Sequence, residues 1–546
     1  MNDPILPMML LTAAAGGMLV FILPKQAGTA VGWTAFLLSL VPTLLGVVLL
    51  NNFNYSQGAL WQGAYFSPWM PQFGIHFSLG VDAISLWLLM LTLVITPLCI
   101  LDAVGRIQQR QNEFFGWMLL LYAGMIGVFT AHDVLLFYLF FEFTLIPTFF
   151  ILGIWGHAER RRAAAKFFLY AFTGSVLLLA SLIYLAYVHY QQFGSLSFAL
   201  DDLYSAGQSL SPWQQALVFW GLLIGFAIKV PLFPVHTWMP LALTESPTPG
   251  AVMIAAFKLG AYGLIRFAFP MLPAAAVHYT PLLAVLCIIS ILFGGLVAWV
   301  QRDMKKLIAY SIVSHLGLCV LAFLALTAIG VTGGVLVMIN QGILASGLLL
   351  VMGMIYQRYR TRDLHEVSGL ARRLPALGFF AVFFAVGTAA VPGLNGFVSE
   401  VLSLAGVYVS GQGKYGGHLG PVYAVIAALG MIVGALYMIY WVACVIFGPL
   451  AEPKEAPAYD ASAPLPPEPA DLNFREWMIL SPLAALVLVL GIFPGPVIDS
   501  MQPAVDEIRN QVIAATTPAP EHASATVMVH TIHTAAASDK LAILTH

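Results

Sequence analysis

Five ionisable residues stand where ionisable residues are expensive. Glu142, Lys229, Lys258, His315 and Glu400 each lie inside an apolar run long enough to cross a bilayer, with Arg266 nearer the end of such a run. A charged group within a span costs several kcal/mol unless it is paired or hydrated. Carboxylates, amines and imidazoles share one ability in such a place, which is to take up and release protons. The chemistry that this set suggests is proton relay.

Glu142, Lys229 and His315 each have a bland alternative. Glu142 sits in VLLFYLFFEFTLIPTFFILGIWG, and so short a side chain cannot reach the interface from mid-span. The alternative there is a protonated, hydrogen-bonded acid joining two helices. Lys229 lies in LLIGFAIKVPLFPVHTWMP. Pro231 and Pro234 cannot continue the hydrogen-bond ladder, so the helix is predicted to break just after the lysine. Broken helices are tolerated at membrane depth where they line a polar cavity. A carboxylate such as Glu142 would stabilise the ammonium; a static ion pair is the alternative, and such pairs rarely repay their desolvation. Lys258 is surrounded by Ala255, Ala256, Gly260 and Gly263, small residues that allow close helix approach. His315, in AYSIVSHLGLC, has two exchangeable ring sites, although a lone apolar-face histidine is also a common core residue. Glu400 ends AVGTAAVPGLNGFVSEVLSL, where Pro392, Gly393 and Gly396 are predicted to interrupt a second helix.

The elements that must position these groups follow from composition. Of 546 residues, 60% are hydrophobic and only 9% charged, too little charge for the surface of a soluble domain. Apolar runs of roughly 20 residues recur along the chain. The expected fold class is an all-α polytopic membrane protein of about 14 transmembrane helices. The seventh (about 214–242) and twelfth (about 375–409) are over-long and carry the internal breakers. These interruptions fall five spans apart, and an odd offset inverts one copy relative to the other. The expected organisation is three N-terminal helices over 1–110, a first five-helix repeat over 111–270 and a second over 281–448. A Pro/Ala-rich loop over 449–475, a last helix over 476–496 and a flexible tail over 497–546 complete it. The tail histidines, His522, His530, His533 and His546, read as solvated residues. Cys99, Cys287, Cys319 and Cys444 form no CxxC pair and read as small core residues. The near-zero net charge of −2 is split between loops and membrane interior and gives no reason to expect nucleic acid.

Orientation follows from short-loop Lys and Arg. Loops after odd-numbered spans hold sixteen of these, among them Arg106, Arg110, Arg160, Arg161, Arg162, Lys305, Arg358, Arg373 and Arg475, while loops after even-numbered spans hold only Lys414. The odd loops are therefore expected in the cytoplasm and both termini outside.

Together FEFTLIPTFFILGIWG, KVPLFPVHTWMPLALTESPTPGAV, KLGAYGLIRF, LIAYSIVSHLGL and VPGLNGFVSE resemble the antiporter-like, proton-pumping subunits of respiratory complex I (NADH-quinone oxidoreductase), which are related to Mrp antiporter subunits. The likeness spans about residues 80–450 and is strongest to the subunit M branch. It implies inverted five-helix repeats and a midplane charge line. Glu142 and Lys229 would be a coupling ion pair, Lys258 the central relay, His315 a relay histidine, and Glu400 the terminal group toward the outer side. Pumping would be driven by quinone reduction elsewhere. NADH, FMN, Fe–S clusters and quinone would bind other subunits, with no cofactor and no metal in this chain. The implied partners are neighbouring antiporter-like subunits and the lipid bilayer.

Three departures from the family pattern matter, Leu241, Leu243 and Gln341. The family's HTWLPDAH reads His236-Thr237-Trp238-Met239-Pro240-Leu241-Ala242-Leu243 here, and Gln341 in MINQGILASG stands where a histidine is common. Glutamine can position water but carries no proton, so Gln341 and His236 are secondary path candidates. Two other function classes share the module: a multi-subunit cation/proton antiporter and a membrane-bound hydrogenase-type complex.

Overall fold

The computed structural model describes residues 2–24, 28–412, 417–453 and 469–515. Lys25, Lys414, Lys454, most of the Pro/Ala-rich loop and the four tail histidines lie outside them.

Apolar runs become helices because a helix satisfies its own backbone where water is absent. In chain order these begin with α1 (Ile5–Ile22), α2 (Thr29–Asn52), α3 (Ala83–Ala103), α4 (Gln111–Thr130), α5 (Val134–Phe143), α6 (Leu145–Trp155) and α7 (Arg160–Phe193). Then come α8 (Leu200–Gln208), α9 (Pro212–Lys229), α10 (Met239–Glu245), α11 (Thr248–Ala256), α12 (Leu259–Gly263), α13 (Phe269–Met271) and α14 (Pro273–Trp299). The rest are α15 (Met304–Leu324), α16 (Ala328–Tyr359), α17 (Pro375–Thr388), α18 (Asn395–Ser410), α19 (Pro421–Trp441), α20 (Phe474–Ile492) and α21 (Gly495–Ala514). Among the described residues, 12 helical segments are long and apolar enough to cross a membrane. The α9–α10 and α17–α18 pairs, the two expected broken spans, are not among those twelve.

Side-chain caps mark several helix starts. Asp82 accepts from Ser85 N, Asp133 from Leu135 N and Leu136 N, Asp303 from Lys305 N and Lys306 N, and Thr327 from Gly330 N. Each satisfies backbone donors that the first turn leaves unpaired. At the centre lies α16, whose apolar window is wholly buried. Peripheral helices instead turn Leu11, Leu19, Leu37, Leu44, Leu169 and Val422 outward. So many exposed apolar side chains fit contact with lipid or with another membrane chain.

The two ends of the bundle differ. One carries an antiparallel hairpin of β1 (Gln62–Met70) and β2 (Ile75–Val81), which pairs Tyr65 with Leu79 and Ser67 with Phe77. The hairpin, absent from the all-α expectation, docks through Ser78 O accepting from His132 N and Asp133 Oδ2 accepting from His76 N. Its turn uses Gly74 at φ +66°, where a Cβ would lie 1.9 Å from Leu196 O. The opposite end gathers the arginines: Arg358 pairs with Glu476 at 2.7 Å, Arg106 with Asp102 at 2.8 Å, and Arg475 donates to Val104 O.

Residues 497–514, expected as flexible tail, belong instead to helix α21. Val497, Met501, Ala504, Val505, Ile508 and Val512 recur at helical spacing and are buried. Trp87 Nε1 donates to Ser500 Oγ at 2.8 Å and Arg509 Nε to Leu326 O at 3.0 Å. The stripe is too short and too polar to read as a span, and its tertiary partners make it a helix.

Candidate functional site

Lys229 is the last helical residue of α9, and the chain then turns through 230–238 before α10 resumes. Pro231 and Pro234 fall inside that turn, as expected. The freed backbone groups find partners: Trp238 Nε1 donates to Ile228 O at 2.8 Å, and Phe233 N donates to Ser290 Oγ at 2.8 Å. The Lys229 ammonium lies 4.8 Å from the centre of the Phe141 ring, a cation–π distance. Glu142, next to Phe141, is the carboxylate that acts on Lys229 electrostatically, yet no direct ion pair joins the two. Glu142 is half-buried, near Ser175 on α7 and Tyr138 on its own helix.

Lys258 lies at a third break that no proline announces. Helix α11 stops at Ala256, Phe257 is extended, and Lys258 stands at the N-cap position of α12. A π-turn over 264–268 follows. The cause is the neighbouring break: a Cβ on Gly260 would lie 2.5 Å from Phe226 O and 2.7 Å from Val230 N. The small residues thus let the α12 backbone press against the end of α9. The Lys258 ammonium is buried and donates to Ala255 O, a carbonyl beside the break. Its titratable neighbour is Cys319 on α15, and no carboxylate acts on it. A cavity of about 40 Å³ lies between Lys229 and the residues flanking Lys258, lined among others by Thr144, Thr148, Lys229, Trp238, Phe257 and Leu259. A space of that size can hold a water, and the threonine hydroxyls and the ammonium can bond it.

Beyond Lys258 the polar line crosses to the second half of the chain. Gly342 brings α16 against α11, its added Cβ lying 3.0 Å from Ala256 O. Gln341, the preceding residue, is buried with its amide nitrogen unpartnered. Asn340 Nδ2 donates to Asn395 O at 2.8 Å, and Asn395 Nδ2 donates back to Asn340 Oδ1 at 3.1 Å. This pair ties α16 to the start of α18, after the second expected break. That break spans 389–394, where Pro392 and Gly393 fall, with Gly393 at φ +93°. Gly396 already belongs to α18, and its absent Cβ lets Gly387 O approach to 2.1 Å of where it would be.

His315 and Glu400 meet directly. His315 Nδ1 and Glu400 Oε1 are 3.0 Å apart, both groups nearly inaccessible. Tyr437 of α19 places its hydroxyl 3.5 Å from His315 Nε2, the outer limit of a hydrogen bond, and 2.8 Å from Ser311 Oγ. Tyr437 and Ser311 carried no signal in the sequence, because an uncharged hydroxyl is cheap to bury in an apolar run and many such hydroxyls occur along these spans. His236 is not brought to this line. It stacks near Phe233 and Phe293, its Nδ1 unpartnered. Leu241 and Leu243 pack as apolar residues on α10, Leu243 fully buried.

The arginine-rich end holds α10 in place. The carbonyls of Thr244, Glu245 and Ser246 accept from Arg362 Nη1, His157 N and Lys305 Nζ at 2.7, 2.8 and 2.9 Å. Three separate elements thereby seat one half-helix. The His157 imidazole is pushed down to about 3 by burial and by the nearby Lys305 and Arg362, so it stays neutral at ordinary pH and contributes a backbone donor only.

The family described as NADH:quinone oxidoreductase/Mrp antiporter, TM, matches residues 131–415, which contain all five charge-line residues. The chain is 37% identical over 484 residues to NADH-quinone oxidoreductase subunit M of Rhodobacter capsulatus, covering 87% of this chain and 89% of that one. It is 32% identical to the subunit M of Escherichia coli, covering 94% and 99%. Among solved structures it superposes on a chain of respiratory complex I from Thermus thermophilus with a TM-score of 0.79 at 28% identity, covering 93% of this chain and 99% of that one. The fold also matches a chain of the Mrp complex from Dietzia sp., with a TM-score of 0.76 at 21% identity over 96% of this chain and 55% of that one. With more than half its length inside the family match and relatives of this identity along most of the chain, the protein belongs to the NADH:quinone oxidoreductase/Mrp antiporter family of transmembrane subunits.

Proposed function

We propose that this chain is a proton-translocating membrane subunit of a complex I-type NADH:quinone oxidoreductase. It moves protons along Glu142, Lys229, Lys258, His315 and Glu400 while redox chemistry proceeds in other subunits. The observation that carries this reading is the water-sized cavity between Lys229 and the residues flanking Lys258, at two helix breaks pressed together. A lysine at a frayed helix end, near but not locked to its carboxylate, can change protonation when the carboxylate moves. A locked pair cannot do so as readily, since the charges hold each other.

The remaining parts of the reading have their own supports. Counting each broken pair as one crossing adds two to the twelve spans above and makes fourteen, in two inverted repeats of five, helices four to eight against nine to thirteen. Glu142 is partly exposed on the side of the bundle, where bare lipid contact would be costly. A neighbouring antiporter-like subunit covering it removes that cost. The arginine-rich end faces the cytoplasm of a bacterial cell by the positive-inside rule, which puts the hairpin outside. The electron carriers, NADH, FMN, clusters and quinone, belong to partner subunits. The shared fold with the Mrp complex supports a second reading, a cation/proton antiporter subunit; the subunit M relatives at 32–37% identity favour the first.

The test is Lys229→Ala and, separately, Glu142→Ala in the assembled complex. Each is expected to cut coupled proton transport by about tenfold or more while the complex still assembles. A wild-type proton-to-electron ratio in either variant would sink the role of the pair. Gln341→His is expected to assemble and to pump within about twofold of wild type, because an imidazole can also bond the water that an amide positions. Failure to assemble would make Gln341 a packing residue instead.

A further inference from the structure

A second buried polar line leaves Lys258 in the other direction, toward the hairpin end. Tyr262 follows Lys258 by one helical turn, and its amide donates to Lys258 O at 3.0 Å. The Tyr262 hydroxyl meets Ser85 Oγ of α3 at 2.8 Å. Arg266, a further turn on, stacks its guanidinium near the Tyr262 ring and donates from Nη2 to Asp82 Oδ2, a contact between residues 184 apart in sequence. Both members are nearly inaccessible. Trp61 covers the guanidinium at 5.0 Å, Tyr204 of α8 donates to Arg266 O at 2.7 Å, and His132 packs on Trp61 beneath the hairpin. Arg266 Nε is buried and has no partner. Tyr262 and Arg266 thus stand one and two turns beyond Lys258 toward the hairpin side, among Ser85, Asp82 and His132, and Arg266 is the one of these groups that never gives up its proton.

We propose that Arg266, held by Asp82, is a fixed positive barrier that closes the hairpin end of the first repeat to protons, so that charge on Lys258 leaves only toward His315 and Glu400. The physical basis is that a permanent charge in a narrow low-dielectric passage repels a second positive charge, as cationic residues do in pores that exclude protons. Asp82 holds the guanidinium in place and offsets part of its desolvation. The barrier rests on the charge-line reading given above, since it guards Lys258.

The experiment compares passive proton leak in liposomes carrying the whole complex, with a pH gradient imposed and no NADH added. Arg266→Gln removes the charge and leaves the carboxylate and hydroxyls, so the leak is expected to rise on the order of tenfold, the weight of a unit charge about 12 Å away at a dielectric of about 20. Asp82→Asn keeps the guanidinium and is expected to leave the vesicles as tight as wild type. A merely structural ion pair predicts the same defect from both variants, and equal leaks, or none from Arg266→Gln, would overturn the barrier. If Arg266→Gln does not assemble, Arg266→His replaces it. Its neighbours Asp82, Tyr262, Tyr204 and His132 are unchanged, and its charge is lost as pH rises, so the leak should grow with pH; a leak flat with pH overturns the proposal. Lys258→Met tests the underlying path separately. Normal pumping in that variant removes the path reading, while the Arg266 and Asp82 comparison still decides whether the hairpin end is sealed.

Discussion

Lys258→Met and Lys258→Arg should both lower coupled proton transport by about tenfold or more, and for one reason. Methionine carries no proton, and arginine carries one it does not release. The ammonium donates to a carbonyl at a helix break, with no carboxylate acting on it. If Lys258 served only to satisfy Ala255 O, arginine could do so and would restore pumping. The methionine variant should keep its stability within about 1 kcal/mol, because removing a buried ammonium relieves desolvation while leaving one carbonyl unpaired. Pumping by the purified complex and thermal unfolding of the same sample check both statements. Restored pumping in Lys258→Arg would end the relay role.

Glu400→Gln has the next largest expected effect. The amide fits the same space and can still meet His315 Nδ1, 3.0 Å from the present carboxylate oxygen. It cannot take the imidazole's proton, so transport should again fall about tenfold. Tyr437→Phe is expected to cost less, only a few-fold, since its hydroxyl stands at 3.5 Å from His315 Nε2 and a bond that long is weak. The graded pair separates relay from packing. Equal losses from both would mean that the cluster acts as a structural unit, and a normal Glu400→Gln complex would remove Glu400 from the path.

Much of this protein was legible before any coordinate. The membrane class followed from apolar run length, and the five ionisable residues from their cost in such runs. Breaks near Pro231 and Pro392 followed from a ring that cannot donate a hydrogen bond. These are local properties, set by a residue and its few neighbours in the chain. Whether groups meet is not local. Only the tertiary structure decided that His315 touches Glu400 while Glu142 and Lys229 stop short of a direct pair, and that Tyr437 and Ser311 extend the cluster. It also placed a break at Lys258, where no proline stands, because Gly260 lets α12 press against the end of α9. The helix over 495–514 and the hairpin over 62–81 likewise arise from partners distant in sequence. The charges belong to the sequence; which of them come near one another belongs to the packing, because small residues and helix ends choose which side chains share a space.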